Sequence, residues 1–140
     1  MIENFKIISS FIKDMSSETP DAQTFIFVKD KISKYRLNID INSKAVKDGI
    51  IEVNTVLKFS DQPEVLKKSH FEITYASIVK VNEKVSDKKE MEKIILCDVP
   101  NKIYPDLERI FLNLLTDSGY PGIKFEKKID FIELYKKKSN

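Results

Sequence analysis

Three long stretches of two-residue alternation, strict in the first, constrain this chain more than any other feature. Tyr35, Leu37, Ile39 and Ile41 are apolar, while Arg36, Asn38, Asp40 and Asn42 beside them are polar. Lys47-Asp48-Gly49 then reads as a turn. A second run sets Ile51, Val53, Thr55, Leu57 and Phe59 against Glu52, Asn54 and Lys58. A third sets Phe71, Ile73, Tyr75, Val79 and Val81 against Glu72, Thr74 and Lys80. Successive side chains of a strand point to opposite faces, so such alternation describes strands with one buried face. A polar loop, Ser60 to Glu64 with Pro63, follows the second run, and no helical stretch intervenes. Strands joined this way pair antiparallel.

The N-terminal run, Phe5 to Met15, breaks the rule. Phe5, Ile7 and Phe11 fall on one side, and Ile8 and Ile12 on the other. Apolar residues on both faces require cover on both, one from the domain core and one from a helix or another subunit. Between this strand and Tyr35 lies a long connection, Ser16 to Lys34, carrying Phe25, Ile26, Phe27 and Val28. It is too long for a hairpin and predicts a crossover around an end of the sheet. Loops normally sit in water, so this aromatic-rich one is either packed down or used for binding.

The second half reads as helices. Met91, Ile94 and Ile95 mark a short amphipathic piece after Ser86-Asp87, which Pro100 is expected to stop. Pro105 is read at a helix first turn, with Asp106 and Glu108 suiting its positive dipole end. Leu107, Ile110, Phe111, Leu114 and Leu115 then form a helical stripe, and Gly119 a C-terminal cap. A last helix over about 129–138 carries Phe131 and Leu134, assigned to core, then Ile132, Tyr135 and a basic end. The expectation is one domain over residues 1–140, of α+β class: a four-stranded antiparallel sheet with C-terminal helices packed on one face.

Composition removes most enzyme classes. One Cys, one His and three Gly leave no material for a disulfide framework, a Cys-based zinc site or a Gly-rich phosphate loop. No cofactor or metal is expected. The acid pairs Asp14/Glu18 and Asp106/Glu108 have nothing to show that they converge in a cleft. His70 reads as an inert strand residue and Cys97 as a buried filler. The formal charge of +2 does not call for nucleic acid. No run reaches the roughly 18 apolar residues of a membrane span. Met1 to Lys13, with Glu3 and no long apolar run, does not resemble a signal peptide, so a cytoplasmic chain is expected.

Several segments, in order, resemble the SecB family of protein-export chaperones. They are Phe5-Lys6-Ile7, then Phe11-Ile12-Lys13-Asp14-Met15-Ser16 with Glu18-Thr19-Pro20-Asp21-Ala22, and Phe27-Val28-Lys29-Asp30. Tyr104-Pro105-Asp106-Leu107-Glu108-Arg109, Gly119-Tyr120-Pro121, and Ile129-Asp130-Phe131 with Leu134-Tyr135 complete the series. The resemblance covers nearly the whole chain, and the first motif is its most specific part. It implies a homotetramer, a dimer of dimers. It also implies ATP-independent binding of unfolded polypeptides in long apolar grooves, and their transfer to the SecA motor.

Carried onto this chain, the resemblance gives Asp14, Glu18 and Glu72 as SecA-binding carboxylates on an acidic sheet face. The competing reading is that they are solvated strand-end charges. Two departures bear on SecA docking. His70 stands where the family usually has an apolar residue, and the chain is not strongly acidic. Phe25 and Phe27 in the crossover, with Ile132 and Tyr135 on the last helix, are the client-groove candidates, against the alternative of ordinary core. Phe5, Ile7, Ile8 and Phe11 are assigned to the oligomer interface. Two other functions fit the same residues: a SecB-like chaperone of a toxin–antitoxin system, or a small module that binds an apolar ligand in a closed pocket.

Overall fold

A computed structural model describes residues 4–62, 64–125 and 129–139. Its strands are β1 (Phe5–Glu18), β2 (Arg36–Lys47), β3 (Ile50–Ser60) and β4 (His70–Val81). They form one antiparallel sheet in the order β1-β4-β3-β2. Helix α1 (Ala22–Lys29) and a 3-10 turn (Ile32–Lys34) carry the chain from β1 at one edge to β2 at the other. Helices α2 (Lys88–Lys93), α3 (Val99–Asp117) and α4 (Phe131–Ser139) follow.

All the helices contribute to one face. Leu57, Phe59, Phe71, Ile73 and Tyr75 of the sheet pack with Val28 of α1, Leu107, Phe111 and Leu115 of α3, and Phe131 of α4. A second cluster joins Phe5, Val53, Val79 and Val81 to Ile94 and Val99. Removing a fully buried Leu or Phe from such a core costs about 2–5 kcal/mol. Among the described residues no helix covers the opposite face.

Three details differ from the sequence reading. First, the Ser16–Lys34 connection is mostly regular structure. β1 runs on to Glu18, and Asp21 starts α1 by accepting the Thr24 backbone N–H at 2.7 Å. That hydrogen bond holds the Asp21 carboxyl below its usual pKa. Only Thr24 and Val28 of α1 are buried, so the helix has too narrow a stripe to reveal itself by periodicity.

Second, Pro100 stops nothing. A π-turn, Ile94–Asp98, joins α2 to α3, with the Val99 N–H donating to the Ile94 carbonyl five residues back. Pro100 thus falls in the first turn of α3, where a missing N–H is tolerated. Pro105 lies inside α3 rather than at its start.

Third, β1 is interrupted. Its register with β4 shifts between Ile7 and Ser9 and again between Ile12 and Asp14. An extra residue reverses the alternation, so Phe11 pairs with Ala76 on the helix-free face and Ile12 with Tyr75 on the covered one. The sequence reading had placed Phe11 with Phe5 and Ile7.

The C-terminus of α3 anchors the crossover. Gly119 N–H donates to Thr116 O and Tyr120 N–H to Leu115 O, the paired bonds of a Schellman cap, with Gly119 at φ +101°. The Phe25 ring covers this turn, so a Cβ at residue 119 would lie 2.5 Å from Phe25 Cε1. Beside it, Ser69 is a buried hub. Its N–H donates to Tyr35 Oη at 2.9 Å, and its Oγ bonds Tyr120 Oη at 3.0 Å and Thr19 Oγ1 at 2.6 Å. These bonds tie the end of β1, the crossover, the β3–β4 loop and the exit of α3 together.

Candidate client groove and partner face

A groove of about 1190 Å³ opens between the start of β2 and the C-terminal segment. Its apolar lining comes from Leu37 and Ile39 of β2, Phe59 of β3, Ile123, Phe125 and Leu134. Period-2 alternation turns Leu37, Ile39 and Ile41 toward the helices, and β2 is the last strand of the sheet. The edge therefore offers a half-buried apolar row with open space beyond it. The rim charges balance: Lys124 and Lys137 against Asp130 and Glu133. Asp130 also caps α4, its Oδ1 accepting the backbone N–H groups of Ile132 and Glu133.

The four client-groove candidates are spread out. Phe25 is half-buried against Tyr120, with ring centroids 5.1 Å apart. Tyr135 is half-buried, and its hydroxyl donates to the Lys89 carbonyl at 3.4 Å. Ile132 is exposed on α4 outside the groove lining. Phe27 is exposed and walls a separate cleft of about 390 Å³ with Lys31, Lys34, Arg36, Asp61, Gln62 and Val65. Phe131 is core, as read from the sequence, but Leu134, also read as core, is 40% exposed and lines the groove. The groove's β2 residues were visible in the alternation. Ile123 and Phe125 carried no signal, because they lie in irregular chain between α3 and α4.

The helix-free face holds the three candidate acids. By strand register Asp14 pairs with Thr74, Glu18 with His70, and Glu72 with Ser16 and Lys58. Glu72 also meets Lys58 Nζ at 3.5 Å. A polar chain crosses the middle of the same face. Lys13 Nζ reaches Glu52 Oε2 at 2.7 Å, and Asn54 Nδ2 donates to Glu52 Oε2 at 2.9 Å and to Asn42 Oδ1 at 3.0 Å. The bond from Lys13, then that from Asn54, holds the Glu52 carboxyl below the usual glutamate pKa. This chain of contacts was not legible in the sequence, because only the register brings β1, β3 and β2 residues into one line.

The four interface candidates separate along β1. Phe5 is buried in the chain's own core, under Lys102 Nζ at 5.0 Å from its ring centroid, and Ile7 packs between the two clusters. Ile8 and Phe11 are exposed, as are Ile12 and Met15, all by 42 to 51%. Met15 and Ile12 belong to this apolar strip although the sequence reading did not assign them. Cys97 is buried, and burial pushes its thiol pKa up. Burial, with Glu108 adding to it, likewise raises the Tyr104 hydroxyl, and burial raises Tyr35.

An α+β sheet with helices on one face, an open apolar groove at one edge and an exposed apolar strip at the other has the surface of a protein that binds other polypeptides. Residues 2–140 match the family model described as preprotein translocase subunit SecB. The chain belongs to the SecB family. It is 86% identical over 140 residues to the "Putative protein-export protein SecB" of Pelagibacter ubique (strain HTCC1062), covering all of both chains. It is 26% identical to the "Protein-export protein SecB" of Methylocella silvestris, over 91% of this chain and 78% of that one. Among solved structures it resembles the Mycobacterium tuberculosis Rv1957 SecB-like chaperone, in complex with a ChAD peptide from the Rv1956 HigA1 antitoxin. That match has a TM-score of 0.64 and 12% identity, over 89% of this chain and 91% of that one. It bears on fold alone. This is a SecB-like chaperone of the protein-export family, and among the described residues no helix is long and apolar enough to cross a membrane.

Proposed function

We propose that this chain is a nucleotide-independent holdase that keeps polypeptides unfolded in the cytoplasm and hands them to SecA. The observation that carries this reading is the open groove at β2, lined by Leu37, Ile39, Phe59, Phe125 and Leu134. Clients share only unfolded apolar segments, so affinity must come from many adaptable contacts rather than one specific pocket. An open groove suits that task better than it suits a small apolar ligand, which needs an enclosed site. Phe27 and Ile132 add exposed apolar surface, while Phe25 is half-buried against Tyr120 and Tyr135 is half-buried with its hydroxyl on the Lys89 carbonyl. The chain works as a tetramer, assembled through the β1 strip at Ile8 and Phe11 with Ile7 and Phe5 behind it. No catalytic step is required of any residue.

In this reading Asp14, Glu18 and Glu72 dock SecA through the helix-free face. The charge balance of that face favours a second reading. Glu52 and Glu72 are already paired with Lys13 and Lys58, which leaves a weak acidic signal. A family member serving an antitoxin instead of SecA would fit such a face. Suppression of aggregation of a denatured client, without nucleotide, tests the holdase reading. Absence of any effect at several-fold excess contradicts it. Reversing Asp14 and Glu18 to Lys should weaken SecA binding and spare client binding; unchanged SecA affinity removes those residues from the interface. Identification of co-purified partners separates export from antitoxin service.

A further inference from the structure

The segment from Lys31 to Leu37 walls two cavities at once. Ile32, Tyr35 and Leu37 line the large groove, while Lys31, Lys34 and Arg36 line the smaller cleft beside Phe27. The two cavities differ in charge. The groove's rim is balanced, with two lysines against one Asp and one Glu, whereas the cleft sets three cations against a single carboxylate, Asp61. That carboxylate is partly engaged, since its Oδ1 accepts the Gln62 backbone N–H at 2.8 Å. Among the described residues none of the three cations forms an ion pair. Lys31 Nζ instead stands 4.9 Å from the centroid of the exposed Phe27 ring. The cleft thus offers an aromatic wall and several unneutralised cations side by side. The complementary ligand is an apolar side chain flanked by carboxylates.

We propose that the Phe27 cleft selects acidic positions in the bound polypeptide. A client side chain packs on Phe27, its neighbouring Asp or Glu meets Lys31, Lys34 and Arg36, and the more apolar remainder lies in the adjoining groove. The inference rests on the polypeptide-binding reading above and adds a chemical preference to it. Arg36 opens β2 and pairs with Ser60, while the next residue, Leu37, turns into the groove. The two sites therefore lie on opposite sides of the start of this edge strand, and a client segment that occupies both passes around it. The cations sit on the rim, where each pair contributes a modest amount, so the summed preference is about tenfold and is weakened by salt.

The test uses two fluorescein-labelled peptides of identical apolar sequence, one flanked by glutamates and one by lysines, titrated by anisotropy onto the full-length protein. The expected result is about tenfold tighter binding of the acidic peptide at low salt, with most of the difference lost at about 0.5 M. The double variant Lys31→Glu/Lys34→Glu should reverse the order, and Phe27→Ser should weaken both peptides. Equal affinities, or an unchanged order in the double variant, overturn the charge preference and leave the polypeptide-binding reading standing. Binding of neither peptide contradicts that reading itself, and the preference with it. Displacement of the acidic peptide by an equal concentration of single-stranded RNA would assign the cleft to phosphate and overturn the proposal.

Discussion

The two edge strands of the sheet use their apolar side chains in opposite ways. β2 keeps one register with β3 from Arg36 to Ala45, and it turns Leu37, Ile39 and Ile41 toward the helices beside the groove. β1 is broken by two bulges, and it leaves Ile8, Phe11, Ile12 and Met15 exposed on both of its faces. A long edge with exposed apolar side chains invites pairing or packing with another chain. The difference matches the two proposed roles, client binding at the sheltered edge and assembly at the exposed one. The β2 edge is apolar where it is sheltered; the β1 edge is apolar where it is not.

The largest expected effect falls on β1. Phe11→Asp with Met15→Asp should abolish assembly, converting the oligomer to monomer in sedimentation velocity while far-UV circular dichroism stays unchanged. An unaltered mass would remove β1 from the interface and end the contrast. On β2, Ile39→Ser with Leu134→Ser should reduce aggregation suppression about tenfold, in line with two lost apolar contacts, and leave the oligomer intact. A loss of mass instead would show that the groove edge also holds the assembly together.

Gly119 links the edges through Phe25 and the crossover. Gly119→Ala meets both a left-handed backbone and the Phe25 ring, and should destabilise the fold by about 2 kcal/mol in urea melts. A smaller effect than Gly122→Ala, where a Cβ meets nothing within 4 Å, would contradict this tie.

The smallest effect concerns Glu52. Its folded pKa lies below the unfolded value near 4.3, so its contribution is present above that pH and is lost as pH falls through the lowered value. Glu52→Gln should flatten the acid limb of the stability profile below about pH 4.5 by less than 1 kcal/mol. An unchanged slope would show that the Lys13–Glu52–Asn54 chain does not couple β1 to the inner strands.

What was legible in the sequence follows the same contrast. β2, β3 and β4 alternate cleanly, so their faces and antiparallel pairing could be read residue by residue. In β1 the bulges at 7–9 and 12–14 reverse the alternation, and the positions of Phe11 and Ile12 were exchanged accordingly. Bulges are set by cross-strand pairing, which no local pattern reports. Helix α1 carries no periodic signal because so little of it is buried, and Pro105, which resembles a first-turn residue, hides the true start of α3 at Val99. The candidate acids could be assigned to one face, but the pairing of Glu72 with Lys58, and of Glu52 with Lys13, depends on cross-strand register that no local pattern reports. The groove was half legible. Its β2 wall follows from alternation, while Ile123, Phe125 and Leu134 reach it only through the path of the chain after Gly119.

The central claim is that the β2 groove holds unfolded polypeptide. Hydrogen–deuterium exchange of the full-length protein, with and without a saturating denatured client, tests it directly. The account predicts slowed exchange confined to residues 27–39, 61–62, 123–125 and 129–134, with the β4 amides unchanged. Client binding accompanied by no protection in those segments would contradict it.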